Sequence, residues 1–457
     1  MKGLAVLILS FAALAAGLIR GVCLSSDGLK PRTAVVTPAV CSDGAPNQGA
    51  GESSMPREHG AAPAFPLPQE GGGVATKVTA ETEQPAVGGN QLTDEKARKG
   101  ESPALEPASV HAVTRIEAGH NDSNPVWSPT GELLAFERSI DDKREIVICR
   151  LDGSVVQRLY YRTSESETAG VRQMFLSGIL DEASFNSGIT WSPDGKSLAF
   201  VSNGGRGNYD LYLAPELGKN TIIRLTDNSE RDSQPRWSPV ANEVVFVSGR
   251  TGKAEIFLLK LESKAIIKLT QGEKSYLYPE WSPDGKSIAM IYGSNDNHDV
   301  YLIEDVARPI ETLKPITTWT FDDLRPTWSP DGRYIAFYSN YNKENDPTVW
   351  SIIVIPLDNS NNMNADLLAS RVVVTDVIPD IEQGPAWMPD SKKIVYVKNN
   401  PQAFNPIYLV DIEKKSNLLI KTDTKMNHDV VCSRDGILAY RAQVEQWDHI
   451  YIASLRK

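Results

Sequence analysis

The chain has few cysteines and histidines, and it has no excess of basic residues. Its 457 residues include 4 Cys and 6 His, and its formal net charge is -11. So few cysteines exclude a scaffold built on disulfides. The acidic balance argues against nucleic-acid binding, which normally requires a basic surface. The sequence also has no long hydrophobic run. The run from Leu4 to Ile19 would form a helix of about 24 Å, which is shorter than the roughly 30 Å membrane core.

The N-terminal part of the sequence has the features of an export signal followed by a linker. Lys2 precedes the apolar run, so residues 1–25 are predicted to be a signal peptide or an uncleaved anchor. Residues 27–110 contain ten Pro and eleven Gly, and Phe65 is their only aromatic residue. Such a segment cannot bury enough apolar surface to offset the entropy of ordering. We therefore expect a disordered linker over residues 26–110 and a protein exported to the periplasm or surface of a bacterial envelope.

The rest of the chain repeats a motif with a period of about 45 residues, which is typical of a repeat architecture. The motif Trp-Ser-Pro, or a variant of it, begins at Trp127, Trp191, Trp237, Trp281, Trp328, Trp387 and Cys432. In three units the motif continues as a Ser-Pro-Asp-Gly turn, and the other units have variants of it. Short runs rich in β-branched and aromatic residues follow, which are typical of strands. Four strands in 45 residues predict the blade of a β-propeller.

Seven units predict a seven-bladed, all-β propeller of four-stranded blades over residues 111–457. The seventh unit ends after its third strand, whereas residues 111–118 supply a spare strand before the first unit. We therefore expect residues 111–118 to pair with the strand that contains Tyr451 and to close the ring, which protects the sheet edges. A six-bladed ring is the alternative.

The repeat resembles the TolB-type propeller repeat. The resemblance lies in the Leu225-Thr226 and Leu269-Thr270 endings, the Pro279–Gly285 core and the Ser248–Gly252 loop. It implies the propeller fold over residues 111–457, without the α/β domain that precedes the propeller in TolB. TolB acts in an envelope complex, but its partner roles cannot be transferred by position. Some propellers with TolB-like repeats are metal-dependent polysaccharide lyases.

A search for catalytic motifs finds none that is complete. The sequence has no Gly-x-Ser-x-Gly elbow for a serine hydrolase, and the six histidines are scattered without paired spacing. Cys149 and Cys432 are expected to pack as small apolar residues without forming a disulfide. The sequence therefore predicts a protein without enzymatic activity, cofactor or structural metal, although a cation bound in the channel remains an alternative.

One set of polar residues recurs at a fixed position, five residues before each Trp or Cys of the motif, where the chain turns into the innermost strand. The set consists of Asp122, Asn186, Asp232, Tyr276, Asp323, Glu382 and Asn427. In a propeller these turns surround one mouth of the central channel, so their acids would concentrate negative potential there. The functional hypothesis is a site for a cation or a basic group. The alternative is that each side chain caps its own turn.

The loops after the second strands open on the same side as this mouth, and we call that side the loop face. Arg206 and Arg250 lie on these loops and are candidate binding residues. An insertion at residues 162–184 either packs over the mouth or contacts a partner. We expect a monomeric, non-catalytic recognition scaffold that binds a protein, peptide or glycan, including envelope proteins, through the loop face. A metal-assisted polysaccharide lyase or hydrolase and a structural envelope component are the alternatives.

Overall fold

The computed structural model describes residues 103–115, 119–140, 143–160, 186–204, 208–294, 297–341, 349–357, 370–380 and 382–455. The predicted export signal, most of the predicted linker and the insertion at residues 162–184 lie outside these ranges. Within them the chain forms seven antiparallel blades, so the prediction of a seven-bladed propeller is confirmed and the six-bladed alternative is wrong.

Two short strands precede the blades, β1 (Ala104–Leu105) and β2 (Ser109–Ala112). Blade one comprises β3 (Asn121–Trp127), β4 (Leu133–Ile140), β5 (Lys143–Arg150) and β6 (Val155–Leu159). Blade two comprises β7 (Asn186–Trp191), β8 (Leu198–Ser202), β9 (Asp210–Ala214) and β10 (Ile223–Arg224). Blade three comprises β11 (Asp232–Trp237), β12 (Glu243–Ser248), β13 (Glu255–Lys260) and β14 (Ala265–Lys268).

The remaining blades follow the same order from the innermost strand outward. Blade four comprises β15 (Ser275–Trp281), β16 (Ile288–Ser294), β17 (Asn297–Ile303) and β18 (Leu313–Pro315), with one short helix, α1 (Pro309–Thr312), before β18. Blade five comprises β19 (Asp323–Trp328), β20 (Tyr334–Ser339), β21 (Trp350–Pro356) and β22 (Val372–Val377). Blade six comprises β23 (Ala386–Trp387), β24 (Lys393–Val397), β25 (Ile407–Asp411) and β26 (Asn417–Ile420). Blade seven comprises β27 (His428–Cys432), β28 (Ile437–Val444) and β29 (Trp447–Ser454), with β2 as its outer strand.

The Ser-Pro-Asp-Gly turns join the first two strands of several blades by the same hydrogen bonds. In blade two, the Ser192 hydroxyl donates to Asp194 Oδ1 over 2.6 Å, and the Ser197 backbone N–H donates to Ser192 Oγ over 2.9 Å. Gly195 has a φ of 68°, which a residue with a side chain rarely adopts. These turns lie on the opposite side of the propeller from the loop face, so we call that side the turn face.

The second and third strands of each blade are its most buried strands. The aromatic side chains of Phe136, Phe200, Phe246, Phe337 and Tyr440 are among the largest fully buried groups in the described residues. Clusters of buried side chains fill the gap between each pair of neighbouring blades, including the gap between blades seven and one. The blades are therefore held as one ring by apolar packing, the main favourable term in folding.

The motif tryptophans connect the innermost strands of neighbouring blades. The indole N–H groups of Trp191, Trp281 and Trp328 donate to backbone carbonyls of the preceding blade over 3.1–3.2 Å. Blade seven has Cys432 in this position, and its sulfur lies 3.6 Å from the sulfur of Met388. Cys149 and Cys432 are both free, and burial raises the pKa of each thiol to about 12.

The ring is closed by the N-terminal strand, as the sequence predicts, but the strand begins earlier. β2 pairs with β29 from Ser109 opposite Ser454 to Ala112 opposite Tyr451, and the Val113 N–H donates to the Ile450 carbonyl over 2.8 Å. The closing strand therefore begins at Ser109, two residues before the predicted start at residue 111. It begins earlier because it pairs with β29 as far as Ser454, the C-terminal end of that strand. Part of the predicted range, residues 116–118, lies outside the described residues.

A further strand lies within the range that the sequence analysis assigned to the linker. β1 pairs in parallel with β26, with Ala104 opposite Leu419 and Leu105 opposite Ile420. It gives blade six a fifth strand and covers the outer edge of that sheet, which would otherwise expose unpaired backbone groups. The strands that pair with the propeller therefore begin at Ala104, several residues before the predicted boundary at residue 111.

No helix among the described residues has the length and apolarity needed to cross a membrane.

Candidate functional site

The residues predicted to surround the channel mouth begin the innermost strands, as expected, but almost all of them are buried. Asp122, Asn186, Asp232, Tyr276, Asp323 and Asn427 are each at most 2% exposed. The propeller brings them around one end of the channel, one from each of six blades. The contacts of the two ion-paired acids, Asp122 and Asp232, are with side chains, and the two amides donate to carbonyls of distant residues, so these contacts are not caps of their own turns. Whether any of them binds a ligand stays a prediction.

Two of the acids form bidentate ion pairs with arginines of their own blade. Arg138 donates to both oxygens of Asp122, over 2.7 Å from Nε and 2.9 Å from Nη2. Arg250 lies 3.1 Å from Asp232, and its guanidinium lies over the rings of Phe246 and Phe257 at 5.4 Å and 5.0 Å. Arg250, a predicted loop-binding residue, therefore neutralises a buried acid. Arg206, the other predicted loop residue, lies outside the described residues.

The two amides of this set attach neighbouring loops. The Asn186 side chain donates to the Arg144 carbonyl over 2.8 Å, which joins blade two to blade one. The Asn427 side chain donates to the Asn405 carbonyl over 3.0 Å and accepts from the Thr424 hydroxyl over 2.7 Å. Both carbonyls belong to residues far away in the sequence, so these amides hold separate loops together rather than cap their own turns.

Asp323 differs from Asp122 and Asp232 because it has no cationic partner among the residues that the structure describes. Burial raises the pKa of Asp323 well above its usual range, and the nearby polar groups of Ser339, Thr317 and Trp319 oppose that shift only in part. Neither carboxyl oxygen has a hydrogen bond of normal geometry to any described residue. A raised pKa means that this carboxyl favours its neutral form, since an isolated charge is costly in an apolar interior.

Glu382 is the one member of the set that reaches the channel. Residues 382 and 383 form a turn just before β23, the short innermost strand of blade six. Asp380 Oδ1 accepts from the N–H groups of Glu382 and Gln383 over 2.9 Å and 3.0 Å, and the Gly384 N–H donates to the Asp380 carbonyl over 3.0 Å. The Glu382 side chain is 48% exposed.

This turn is hydrogen-bonded to arginines of two other blades. Arg236 of blade three donates from Nη2 to the Glu382 carbonyl over 2.9 Å, and Arg325 of blade five donates to the same carbonyl. Arg236 also pairs with Glu280 of blade four over 2.8 Å. Because blades three and six are not neighbours, the Arg236–Glu382 contact crosses the central channel.

One residue in the left-handed backbone region lies in the innermost strand of each blade or, in blade six, two residues before it. These residues are Asn124, Gly188, Gln234, Tyr278, Arg325, Gly384 and Asp429, with φ between 50° and 80°. In most blades the pairing register shifts at this point, which is the signature of a β-bulge. The sequence analysis missed this set, although the Pro that follows five of its seven members was a usable signal.

Two members of this set, Arg325 and Tyr278, contact each other beside the turn that contains Glu382. The Arg325 guanidinium lies 4.3 Å from the centre of the Tyr278 ring, and its Nη2 lies 3.5 Å from the Glu382 carboxylate. Burial, followed by the charge of Arg236, lowers the pKa of Arg325 from its usual value. The channel therefore contains a cationic and aromatic group beside a partly exposed carboxylate.

Other charged groups near the channel are paired with each other. Glu137 lies 3.0 Å from Arg144, and burial raises the pKa of Glu137. Arg441 lies between Asp429 and Asp448, at 2.8 Å and 3.1 Å. Burial and the charge of Asp429 raise the pKa of Asp380 to about 7.

A group with metal-ligating side chains lies where blade seven meets blade one. His120, Asp122 and His449 are buried, and one ligand atom of each lies within 4.8 Å of the others. The two histidines are 329 positions apart in the sequence, so no spacing rule could have paired them. Ring closure brings them together, and the description of the histidines as scattered is therefore wrong for this pair.

The loop face carries exposed aromatic and basic groups at its rim. Phe404 is 46% exposed, and the ammonium of exposed Lys425 lies 5.0 Å from its ring centre. Exposed Arg231 lies over the half-buried Tyr209 ring at 4.5 Å. These pairs lie on loops that connect strands of blades two, three, six and seven.

Comparison with known proteins identifies the same architecture. Residues 178–364 match the family described as the TolB beta propeller domain. A solved oligogalacturonate lyase in complex with manganese is 15% identical, with a TM-score of 0.54, and the match covers 79% of this chain and 98% of that chain. An oligogalacturonate lyase from Vibrio parahaemolyticus is 12% identical, with a TM-score of 0.53 and coverage of 76% and 94%.

TolB from Acinetobacter baumannii is 16% identical, with a TM-score of 0.41, and the match covers 66% of this chain and 64% of that chain. This chain thus spans less than two thirds of that TolB. At 12–15% identity, the two oligogalacturonate lyases show a shared fold. The family match, the sevenfold motif and the closed ring of blades together show that the chain carries a β-propeller of the TolB type.

Proposed function

We propose that this protein is an exported, non-catalytic recognition scaffold that binds a protein, peptide or glycan through the loop face. The observation that carries the proposal is the pair formed by Phe404 and Lys425, an exposed aromatic ring beside an exposed cation on loops held by rigid blades. Aromatic residues are enriched in protein interfaces, and they form many of their energetic hot spots. Arg231 over Tyr209 adds a second group of the same kind.

The channel supports the same proposal because it offers one carboxylate that is not fully engaged. Glu382 is 48% exposed, and its nearest cation, Arg325, lies at 3.5 Å rather than in a close hydrogen bond. A basic side chain of a ligand that reaches the mouth would compete with Arg325 for this carboxylate. The predicted export signal and the resemblance to TolB favour partners among envelope proteins or glycans, and we expect the propeller to act as a monomer.

Photo-crosslinking tests this proposal on the full chain. The photoreactive residue p-benzoylphenylalanine would replace Phe404 on the loop face or, as a matched control, Val240 on the turn face, which is 62% exposed. In cells that produce the protein, we expect discrete crosslinked products from position 404 and none from position 240. Equal crosslinking from both faces, or no product from position 404, would contradict recognition through the loop face.

A second candidate is a metal-assisted polysaccharide lyase or hydrolase. The observation that favours it is the group of His120, Asp122 and His449, together with the fold shared with an oligogalacturonate lyase in complex with manganese. Incubation of the purified protein with oligogalacturonate and Mn²⁺ tests it, because a lyase forms an unsaturated product that absorbs ultraviolet light. Accumulation of that product would replace the scaffold proposal, whereas a purely structural envelope component would give neither product nor crosslink.

A further inference from the structure

We propose that His120, Asp122 and His449 form a binding site for a divalent transition-metal ion of the zinc class, which joins the first and last blades of the ring. The site is independent of the proposed recognition function. His120 immediately precedes β3, Asp122 is the second residue of β3, and His449 is the third residue of β29. An ion held by all three would connect the innermost strand of blade one to the strand of blade seven that pairs with β2.

The geometry is close to that of a zinc site. His120 Nε2 lies 3.7 Å from Asp122 Oδ2, and the two imidazole rings lie 5.6 Å apart, nearly perpendicular at 86°. Zinc binds His nitrogen and Asp oxygen at about 2.0–2.2 Å, so ligand atoms around a tetrahedral ion lie roughly 3.3 Å apart. Small side-chain rotations would bring the three atoms to that spacing.

The second observation is that both imidazoles are buried with a ring nitrogen left unsatisfied. Neither His120 Nε2 nor His449 Nδ1 has a hydrogen-bond partner among the residues that the structure describes. His120 is 7% exposed and His449 1% exposed, so water has little access to either nitrogen. Buried polar atoms normally have partners, and a shared metal ion would satisfy His120 and Asp122 together with His449.

The surroundings of the site fix one ligand and set the balance of charge. Arg138 donates to both oxygens of Asp122, which holds the carboxylate in place, as residues behind the ligands do in metal proteins. The positive charge of Arg138 opposes binding of a cation, whereas Asp122 and Asp448 favour it. Hard ions such as Mg²⁺ are disfavoured because two of the three ligands are nitrogens.

Metal titration of the full chain tests the proposal. The protein, freed of metal by a chelator, would be titrated with Zn²⁺ by calorimetry and with Co²⁺ by visible absorption. We expect one ion per chain, a Co²⁺ spectrum typical of low coordination, and a rise in melting temperature of several degrees at saturating Zn²⁺. An adventitious surface ion would give weak binding without a defined spectrum.

Variants identify the ligands. We expect His120→Gln and His449→Gln to weaken Zn²⁺ binding by about 10- to 100-fold or more, and to abolish the rise in melting temperature. His111→Gln is the matched control, because His111 lies in β2 at the same junction but is exposed. Binding that survives both ligand variants, or that His111→Gln weakens equally, would overturn the proposal. Should the variants fail to fold, the wild type still decides, since absence of a saturable Co²⁺ spectrum refutes the site.

Discussion

Replacement of Asp380 by Asn changes how the stability of the propeller depends on pH. Asp380 is buried in the turn that reaches the channel, and burial together with the charge of Asp429 raises its pKa to about 7. The unfolded chain releases this proton near the ordinary value of 3.8. The native state therefore keeps a proton that the unfolded state loses. The stability from this proton is fully present below pH 3.8 and is lost as the pH rises to about 7.

The size of the effect follows from the two pKa values. For each pH unit between the two pKa values, the free energy of unfolding falls by about 1.4 kcal/mol. The Asp380 carboxyl should therefore lower the free energy of unfolding of the wild type by roughly 2–3 kcal/mol between about pH 5 and about pH 8. Asn has no proton to release, and its side-chain oxygen can still accept from the N–H groups of Glu382 and Gln383. We therefore expect Asp380→Asn to gain about that amount relative to wild type over the same range.

Urea unfolding at several pH values measures this difference directly. Subtracting the wild-type free energy of unfolding from that of the variant removes the contributions of the other titrating groups. Asp435→Asn, on an exposed turn, is the control and should show a difference that does not vary with pH. A difference for Asp380→Asn that is flat, or that falls as the pH rises, would refute the reasoning.

Three further predictions test the packing and the buried charges. Gly384→Ala should destabilise the protein by about 1–3 kcal/mol more than Gly252→Ala, because both glycines have positive φ but only the former would place Cβ 2.6 Å from Thr327 Cγ2; equal unfolding free energies would contradict this. Phe246→Ala should cost about 3–5 kcal/mol by opening a cavity between blades, whereas the exposed Ile310→Ala should cost little in thermal melts. Asp232→Asn should cost about 1.5–3 kcal/mol by removing the charged partner of half-buried Arg250, while Asp323→Asn, which replaces a carboxyl without a cationic partner among the described residues, should change the melting temperature little at neutral pH; the reverse order would show that the assignment of these acids is wrong.

The sequence predicts the blades well because each blade is a local unit. The turn at Ser192 and Gly195 and the apolar run Leu198–Val201 lie within a few residues of each other, so their pattern is visible without tertiary information. Closure of the ring can also be predicted from the sequence, because counting the strands shows one too few in the last repeat and one extra before the first. Asp122 and Asp232 are also placed at the channel mouth by their fixed distance from the motif tryptophans.

What the sequence does not reveal depends on contacts between distant residues. Asp122 is acidic in the sequence, but only the fold shows that Arg138 neutralises it and that His449 approaches it from the other end of the chain. In the sequence Glu382 is one more member of the repeated set, yet the contact of Asp380 with the Glu382 N–H and the positive φ of Gly384 turn the chain into the channel instead of extending a strand. β1 was missed because Ala104 and Leu105 offer too short a pattern to distinguish from a linker.

The central claim of this account is that the two ends of the propeller share one blade, since the channel and the seam between blades one and seven both depend on it. Formation of a disulfide in the double variant Val110→Cys/Ala453→Cys, with the native cysteines replaced by serine, tests it most directly because these residues face each other across β2 and β29. We expect rapid crosslinking under mild oxidation, seen as altered mobility on a denaturing gel, and little in the control pair Val110→Cys/Ala442→Cys. No crosslink in the first pair, or equal crosslinking in both, would contradict the closed ring.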